Sequence, residues 1–199
     1  MEPEIVYQDR WLLAVHKPCG LPTQARADRR GPDLFSWVRE REPLAALHHR
    51  LDQPASGLVL FAAHPDANKG LTEGFREHRI ARRYQVVLAG EVLAGSWEWP
   101  VGGKDARSEV HPLAQDNGFT AARVSLDTGR KHQIRIHAAM AGAPVAGDRK
   151  YGGEAGRMWD RLALHAAELH LAHPVTGGSL TLHAPMPDDL APLWAAAGG

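Results

Sequence analysis

His49-Arg50-Leu51-Asp52-Gln53-Pro54-Ala55-Ser56-Gly57, running into the apolar Leu58-Val59-Leu60-Phe61-Ala62, is the stretch that decides how this chain is read. Pro54 has no amide proton for a strand ladder and Gly57 tolerates a positive φ, so the segment is a polar loop between two strand-like pieces, 46–51 and 58–62. That loop presents the carboxylate of Asp52 directly beside Arg50. Local chemistry leaves two readings open. The side chain either caps its own backbone in an Asx-turn or serves as a site residue on a rigid strand-borne loop.

Composition narrows the class. A chain of 199 residues with 44% hydrophobic content is long enough for one domain with a substantial core, so residues 1–199 are expected to form a single domain. The lone Cys19 excludes an internal disulfide framework, has no base beside it and fits a cytoplasmic protein. No stretch approaches the roughly 20 apolar residues of a membrane span, and the acidic start Met1-Glu2-Pro3-Glu4 is unlike a signal peptide. The 23 basic and 23 acidic residues cancel, so any affinity for nucleic acid must come from their distribution. Basic residues cluster at 26–30, 76–83 and 130–135, each of which also reads as a solvated face.

Outward from the central loop, residues 5–7 and 11–15 read as a hairpin that stops at Pro18 and Gly20. Asp33 caps a short helix with Leu34, Trp37 and Val38 on one stripe, leaving Arg39, Glu40 and Arg41 to face water. Asp66 is the expected cap of a helix through Glu77 that buries Ala67, Leu71 and Phe75. A strand over 84–90 comes next. Residues 91–120 read as hairpins with long loops, with short apolar pieces at 96–99 and 109–110. Residues 121–126 alternate as a half-buried strand, and a helix from about His132 to Ala141 carries Ile134, Ala138 and Ala141 on its stripe, with Arg135 beside it. The end alternates as strands over 162–166, 169–172 and 180–183, closed by a helix from Pro187 or Asp188 to Ala197.

The string His49-Arg50-Leu51-Asp52-x-x-x-Ser56-Gly57 before an apolar strand closely resembles the signature loop of the RluA-type pseudouridine synthases, which isomerise uridine within RNA. Two further matches stand in the same order. Ile5-Val6-Tyr7-x-Asp9-x-Trp11-Leu12-x-x-Val15-x-Lys17-Pro18-x-Gly20 resembles the family's opening, and Thr128-Gly129-Arg130-x-His132-Gln133-Ile134-Arg135-Ile136-His137 its second motif. Arg161-Leu162-Ala163-Leu164-His165-Ala166 resembles the third. The departures are His16 for a common Asn, Ala55 for the usual Thr, and Lys131 where Thr is frequent.

The resemblance implies an α+β domain with a mixed, largely antiparallel central sheet, helices on its faces and a central cleft. It implies Asp52 as the catalytic carboxylate, attacking as a nucleophile or removing a sugar proton; residue type leaves both routes open. It also implies Arg135 as the ion partner of that aspartate, Tyr84 as the ring that stacks on the flipped base, Arg50 as the residue entering the vacated space, and Leu164 as a wall of the uracil pocket. No metal or organic cofactor is expected. The partner is tRNA or ribosomal RNA, with no membrane and no obligatory protein partner, and a monomer is the default. The S4 RNA-binding domain of many relatives is not expected, and contacts that choose the RNA are expected in loops 24–33 and 100–118.

Two other classes compete with this reading. A metal-dependent hydrolase is suggested by twelve histidines, including His165, His170, His173 and His183, but their spacing matches no ligand pattern. A non-catalytic RNA-binding module fits the basic runs and is opposed by the intact set of Asp52, Tyr84 and Arg135.

Overall fold

A computed structural model describes residues 2–25 and 31–199, so the basic cluster 26–30, and with it part of the loop 24–33, lies outside the described residues. The protein is α+β. Its contacts divide it into two compact units, Met1–Ala81 with Ala166–Pro185, and Arg82–His165 with Met186–Gly199.

In the first unit β1 (Glu4–Gln8) and β2 (Leu12–Lys17) form the expected hairpin, with a bulge between Ile5 and Tyr7. Strand β2 pairs antiparallel with β4 (Ser56–Ala62), from Leu12 opposite Ala62 to Lys17 opposite Gly57. Every residue of β2 and β4 is buried, which requires cover on both faces of the sheet. Helix α2 (Pro65–Arg76) supplies one cover, packing Ala67 and Leu71 into a cluster with Leu12, Leu58 and Leu60, while Phe75 is only half-buried beside it. Helix α1 (Leu34–Arg39) lies on the other, where the Phe35 and Phe61 rings stack at 6.2 Å. Its cap is Asp33, which accepts from the Ser36 amide at 2.8 Å. The cap of α2 is not Asp66: Pro65 fixes the first helical turn one residue earlier, and the His64 ring accepts from the Asp66 amide at 3.3 Å.

The strand expected over 46–51 shrinks to β3 (Ala46–Leu47). A ladder running one pair further would need an acceptor for the Leu60 amide, and His49 Nε2 supplies it at 2.8 Å, so the chain is free to leave the sheet. Strand β9 (Leu164–Ala172) is continuous where two pieces were expected. It lies beside β4 and pairs antiparallel with β10 (Ser179–His183). A Cβ at Gly57, whose φ is +118°, would fall 2.3 Å from the Ala166 carbonyl oxygen, so only glycine permits this approach of β4 to β9.

In the second unit β5 (Ala81–Ala89), β8 (Phe119–Leu126), β7 (Ser108–Asp116) and β6 (Gly95–Trp97) pair in that order, antiparallel throughout. Within the region read as hairpins with long loops over 91–120, β7 and the start of β8 form a hairpin, turned at Asn117 and Gly118, both with positive φ. Pro112 sits in β7 where the register shifts, which is how a strand of nine residues accommodates it. Helix α3 (Gln133–Met140) stops before Gly142 as expected, but Ala141 is exposed rather than on the buried stripe. Helix α4 is shorter than the sequence suggests, Ala191–Ala196, preceded by a turn at 188–190.

Candidate active site

The Asp52 loop is built from its backbone outward. Lys17, the last residue of β2, is fully buried, and its Nζ donates to the carbonyls of Pro18 at 3.0 Å, Leu21 at 2.8 Å, Gln53 at 3.2 Å and Ala55 at 2.5 Å. One ammonium thus draws the segment after β2 and the loop before β4 together. Thr23 adds a reciprocal pair, its hydroxyl donating to the Leu51 carbonyl at 3.0 Å and accepting from the Leu51 amide at 3.1 Å. The Gly20 amide donates to Gln53 O at 3.0 Å, and the Cys19 thiol to Pro54 O at 3.1 Å. The His49 ring stacks on Phe75 at 4.5 Å while holding Leu60.

The residues on either side of Asp52 are therefore fixed. Leu51 is buried, Asp52 half-buried and Arg50 exposed, an order that presents a carboxylate and a guanidinium from a rigid support. The charge-assisted bonds of Lys17 are the strong kind, and these four hold backbone. In the sequence Lys17 stands out only as part of a resemblance, and Thr23 does not stand out at all. A charged residue closing an otherwise apolar strand, immediately before a proline, is the signal that could have found the lysine.

Arg135, Tyr84 and Leu164 belong to the second unit. Arg135 is not an exposed helix charge. It is 5% accessible, and its Nε and Nη2 donate to the Asp148 carboxylate at 2.7 and 2.8 Å, with the guanidinium carbon 5.2 Å from the Tyr151 ring centre. Burial alone would push the Asp148 carboxyl up. The bonds from Arg135, the Lys150 and Tyr151 amides and the attraction of the guanidinium outweigh it, and hold the group below the ordinary aspartate range.

The helix that carries Arg135 is held on β7 by its neighbours in the motif. The Gln133 amide is nearly saturated: its oxygen accepts from the Thr128 hydroxyl at 2.7 Å and the Arg130 amide at 2.9 Å, and its nitrogen donates to Arg107 O and Ser108 Oγ, both at 2.9 Å. One turn on, His137 is bonded to Ser108 Oγ at 3.0 Å and to Trp99 O at 2.8 Å. Its burial lowers the imidazole pKa, partly countered by the Trp99 carbonyl. Ahead of the helix His132 takes a positive φ of 59° and meets the Tyr151 hydroxyl at 2.8 Å. The motif thus reads as a fastening in which Gln133 and His137 fix the helix and Arg135 is aimed by Asp148. Tyr84 lies in β5 opposite Val124 and is half-buried. Leu164 opens β9 and is 5% accessible.

Among the described residues no group of three or more His, Cys, Asp or Glu side chains is placed to hold a metal ion, and no helix is long and apolar enough to cross a membrane.

Comparison with known proteins adds independent findings. Residues 11–140 match the family model described as RNA pseudouridylate synthase. The chain is 31% identical to ribosomal large subunit pseudouridine synthase D of Pseudomonas aeruginosa, over 98% of its own length and 71% of that protein's. It is 33% identical to dual-specificity RNA pseudouridine synthase RluA of Haemophilus influenzae, covering 92% of itself and 94% of the relative. Among solved structures, human RNA pseudouridylate synthase domain containing 1 is similar with a TM-score of 0.77 at 25% identity, covering 94% of this chain and 84% of that one.

Proposed function

The chain belongs to the RNA pseudouridylate synthase family, and from that premise we propose that Asp52 initiates the isomerisation of a uridine in large-subunit ribosomal RNA in the cytoplasm. The observation that carries the assignment is the pinning of the Asp52 loop by the buried ammonium of Lys17 through the Gln53 and Ala55 carbonyls. A carboxylate that must meet one sugar carbon or one sugar proton needs its backbone fixed, because small misplacements of a reacting group are costly.

The reaction breaks the bond from C1′ to N1, turns the uracil, and joins C5 to C1′, with a proton leaving C5 and one returning to N1. Nothing is oxidised or reduced. Asp52 serves either by displacing N1 at C1′ and being displaced in turn by C5, or by taking a sugar proton and returning it. Ionised Asp52 is required for both. On this reading Arg135, already oriented by Asp148, is its cationic partner and favours the charged form. Extruding the uridine costs a few kcal/mol. Stacking on Tyr84 offsets about 1–3 kcal/mol of that, Arg50 occupies the gap left in the RNA, and Leu164 walls the base.

The choice of large-subunit RNA is supported by the name of the Pseudomonas relative. A transfer RNA target is the second reading, favoured by the dual-specificity relative. Release of tritium from RNA labelled at uridine C5 measures turnover. Asp52→Ala should abolish it with an unchanged circular dichroism spectrum, and Tyr84→Phe should slow turnover more than it weakens RNA binding. Asp52→Ala with wild-type release would remove the assignment, and pseudouridine mapping in a deletion strain and its parent identifies the RNA.

A further inference from the structure

The loop after Asp148 carries positive charge that the isomerisation does not use. Arg149-Lys150-Tyr151-Gly152-Gly153-Glu154-Ala155-Gly156-Arg157 holds three cations and one acid, in a chain whose net charge is zero. Arg149, Lys150, Gly153 and Arg157 line a cavity of about 390 Å³. All four are exposed, and among the described residues no carboxylate pairs with Arg149, Lys150 or Arg157; Lys150 only lies over the Tyr151 ring at 5.1 Å. Glu154 is also exposed and is not part of that lining.

The backbone bearing these cations is wound round one residue. Asp148 Oδ1 accepts from the amides of Lys150 at 2.9 Å and Tyr151 at 3.1 Å, and the Asp148 carbonyl accepts from the Gly152 amide at 2.7 Å. Gly152 and Gly156 pass so close that a Cβ on either would stand 2.5 or 2.1 Å from that same carbonyl oxygen. Asp148 is also the residue that aims Arg135. The cavity and the guanidinium of the second motif therefore share an anchor.

A cavity lined by two arginines and a lysine, with no acid among its described lining residues, selects an anion, and guanidinium forks match phosphate oxygens. Because the lining is exposed, a free anion gains little there over water, whereas a phosphate on RNA already held by the enzyme arrives with its translational freedom spent. We propose that the 149–157 loop is a seat for a backbone phosphate of the substrate RNA, holding the strand in register with the Arg135 helix. The inference rests on the reading of the protein as an RNA-modifying enzyme.

The test compares wild type, Arg149→Ala/Arg157→Ala, and the charge-matched control Arg10→Ala/Arg39→Ala from the other unit. The probe is an unmodified transcript of large-subunit ribosomal RNA, titrated at several salt concentrations, with tritium release measured in parallel. Each lost phosphate contact should flatten the slope of log affinity against log salt by about 0.7–1, so the seat variant, which gives up one phosphate, should be shallower by about that amount. Its KM should rise about tenfold or more while kcat at saturating RNA holds, since its residues act on binding. An unchanged slope and KM, or an equal loss in the control, would overturn the seat. Should wild type release no tritium while the seat variant still flattens the slope, the isomerase assignment fails and the seat stands; turnover in wild type with no slope change in the variant has the opposite meaning.

Discussion

Replacing Lys17 with Met removes one charge and little volume, and the cost can be worked from the contacts the ammonium makes. That group has no exposed surface and serves four carbonyls between 2.5 and 3.2 Å, those of Pro18 and Ala55 at buried positions. A buried acceptor left without a donor costs about 1–3 kcal/mol, so the two buried carbonyls alone amount to about 2–6 kcal/mol. Against this stands the relief of no longer keeping an ammonium out of water, which is why the loss should settle near 3 kcal/mol, the lower part of the range for a broken buried charge interaction. Urea unfolding monitored by tryptophan fluorescence reads it as a midpoint lowered by about 1–3 M at the usual slopes for small domains. Because Gln53 and Ala55 flank Pro54 in the loop of Asp52, turnover per folded molecule should also fall, and kcat more than KM. A variant within about 0.5 kcal/mol of wild type and with full turnover would show that the lysine does not hold the loop.

Two further substitutions test the second unit. Asp148→Asn leaves a buried guanidinium without its counter-charge and should cost about 3–5 kcal/mol, together with turnover. The native Asp148 carboxyl lies below the ordinary aspartate value, so its stabilisation is in full force above the unfolded pKa of about 3.9 and is lost as pH falls through the lower folded value. Thermal melts between neutral and strongly acid pH should show this loss in wild type and not in the variant. For His137 the folded imidazole is held below its ordinary pKa by burial, so only the unfolded chain takes up the proton near pH 6.5. Stability should therefore decline as pH drops below that value, with half-buried His48 shifted the same way, and His137→Gln should flatten part of the decline in urea midpoints.

Local pattern determines what is legible in the sequence. The run Leu58–Ala62 is apolar without alternation and becomes a strand buried on both faces, and Asp33 with Leu34 and Val38 becomes a capped helix on that sheet. Several of the misses share one cause, a partner that side-chain pattern does not announce. Strand β3 ends early because a ring two residues on replaces a ladder acceptor, and β7 survives a proline because its partner tolerates a register shift. Arg135 sits beside an apolar stripe, and nothing in the local pattern shows that Asp148, thirteen residues later, is brought under it. Lys17 is the extreme case, since its four acceptors lie on two segments more than thirty residues apart. The catalytic candidates themselves are accessible through the resemblance of their motifs; what Lys17 and Asp148 do for them is not, because carbonyl acceptors leave no trace in side-chain identity and a carboxylate does not announce which cation it meets.

The zero net charge looks unsuited to an RNA enzyme until the cations are sorted by what they do. Lys17 is spent on carbonyls, Arg135 on Asp148, and buried Arg161 on Asp189, so three positive charges are committed inside the fold and contribute little to the surface field. Among the described residues Asp148 and Asp33 are the acids buried with them. Among the described residues the exposed surface is then no more basic than the composition suggests, and net charge by itself does not supply the affinity. Local sites where cations stand without acids are suited to supply it, and that is the arrangement at Arg149, Lys150 and Arg157. An enzyme built this way should bind RNA with a salt dependence set by a few contacts rather than by its overall charge, and its choice of target should depend more on where those contacts fall than on how strongly the protein attracts nucleic acid in general.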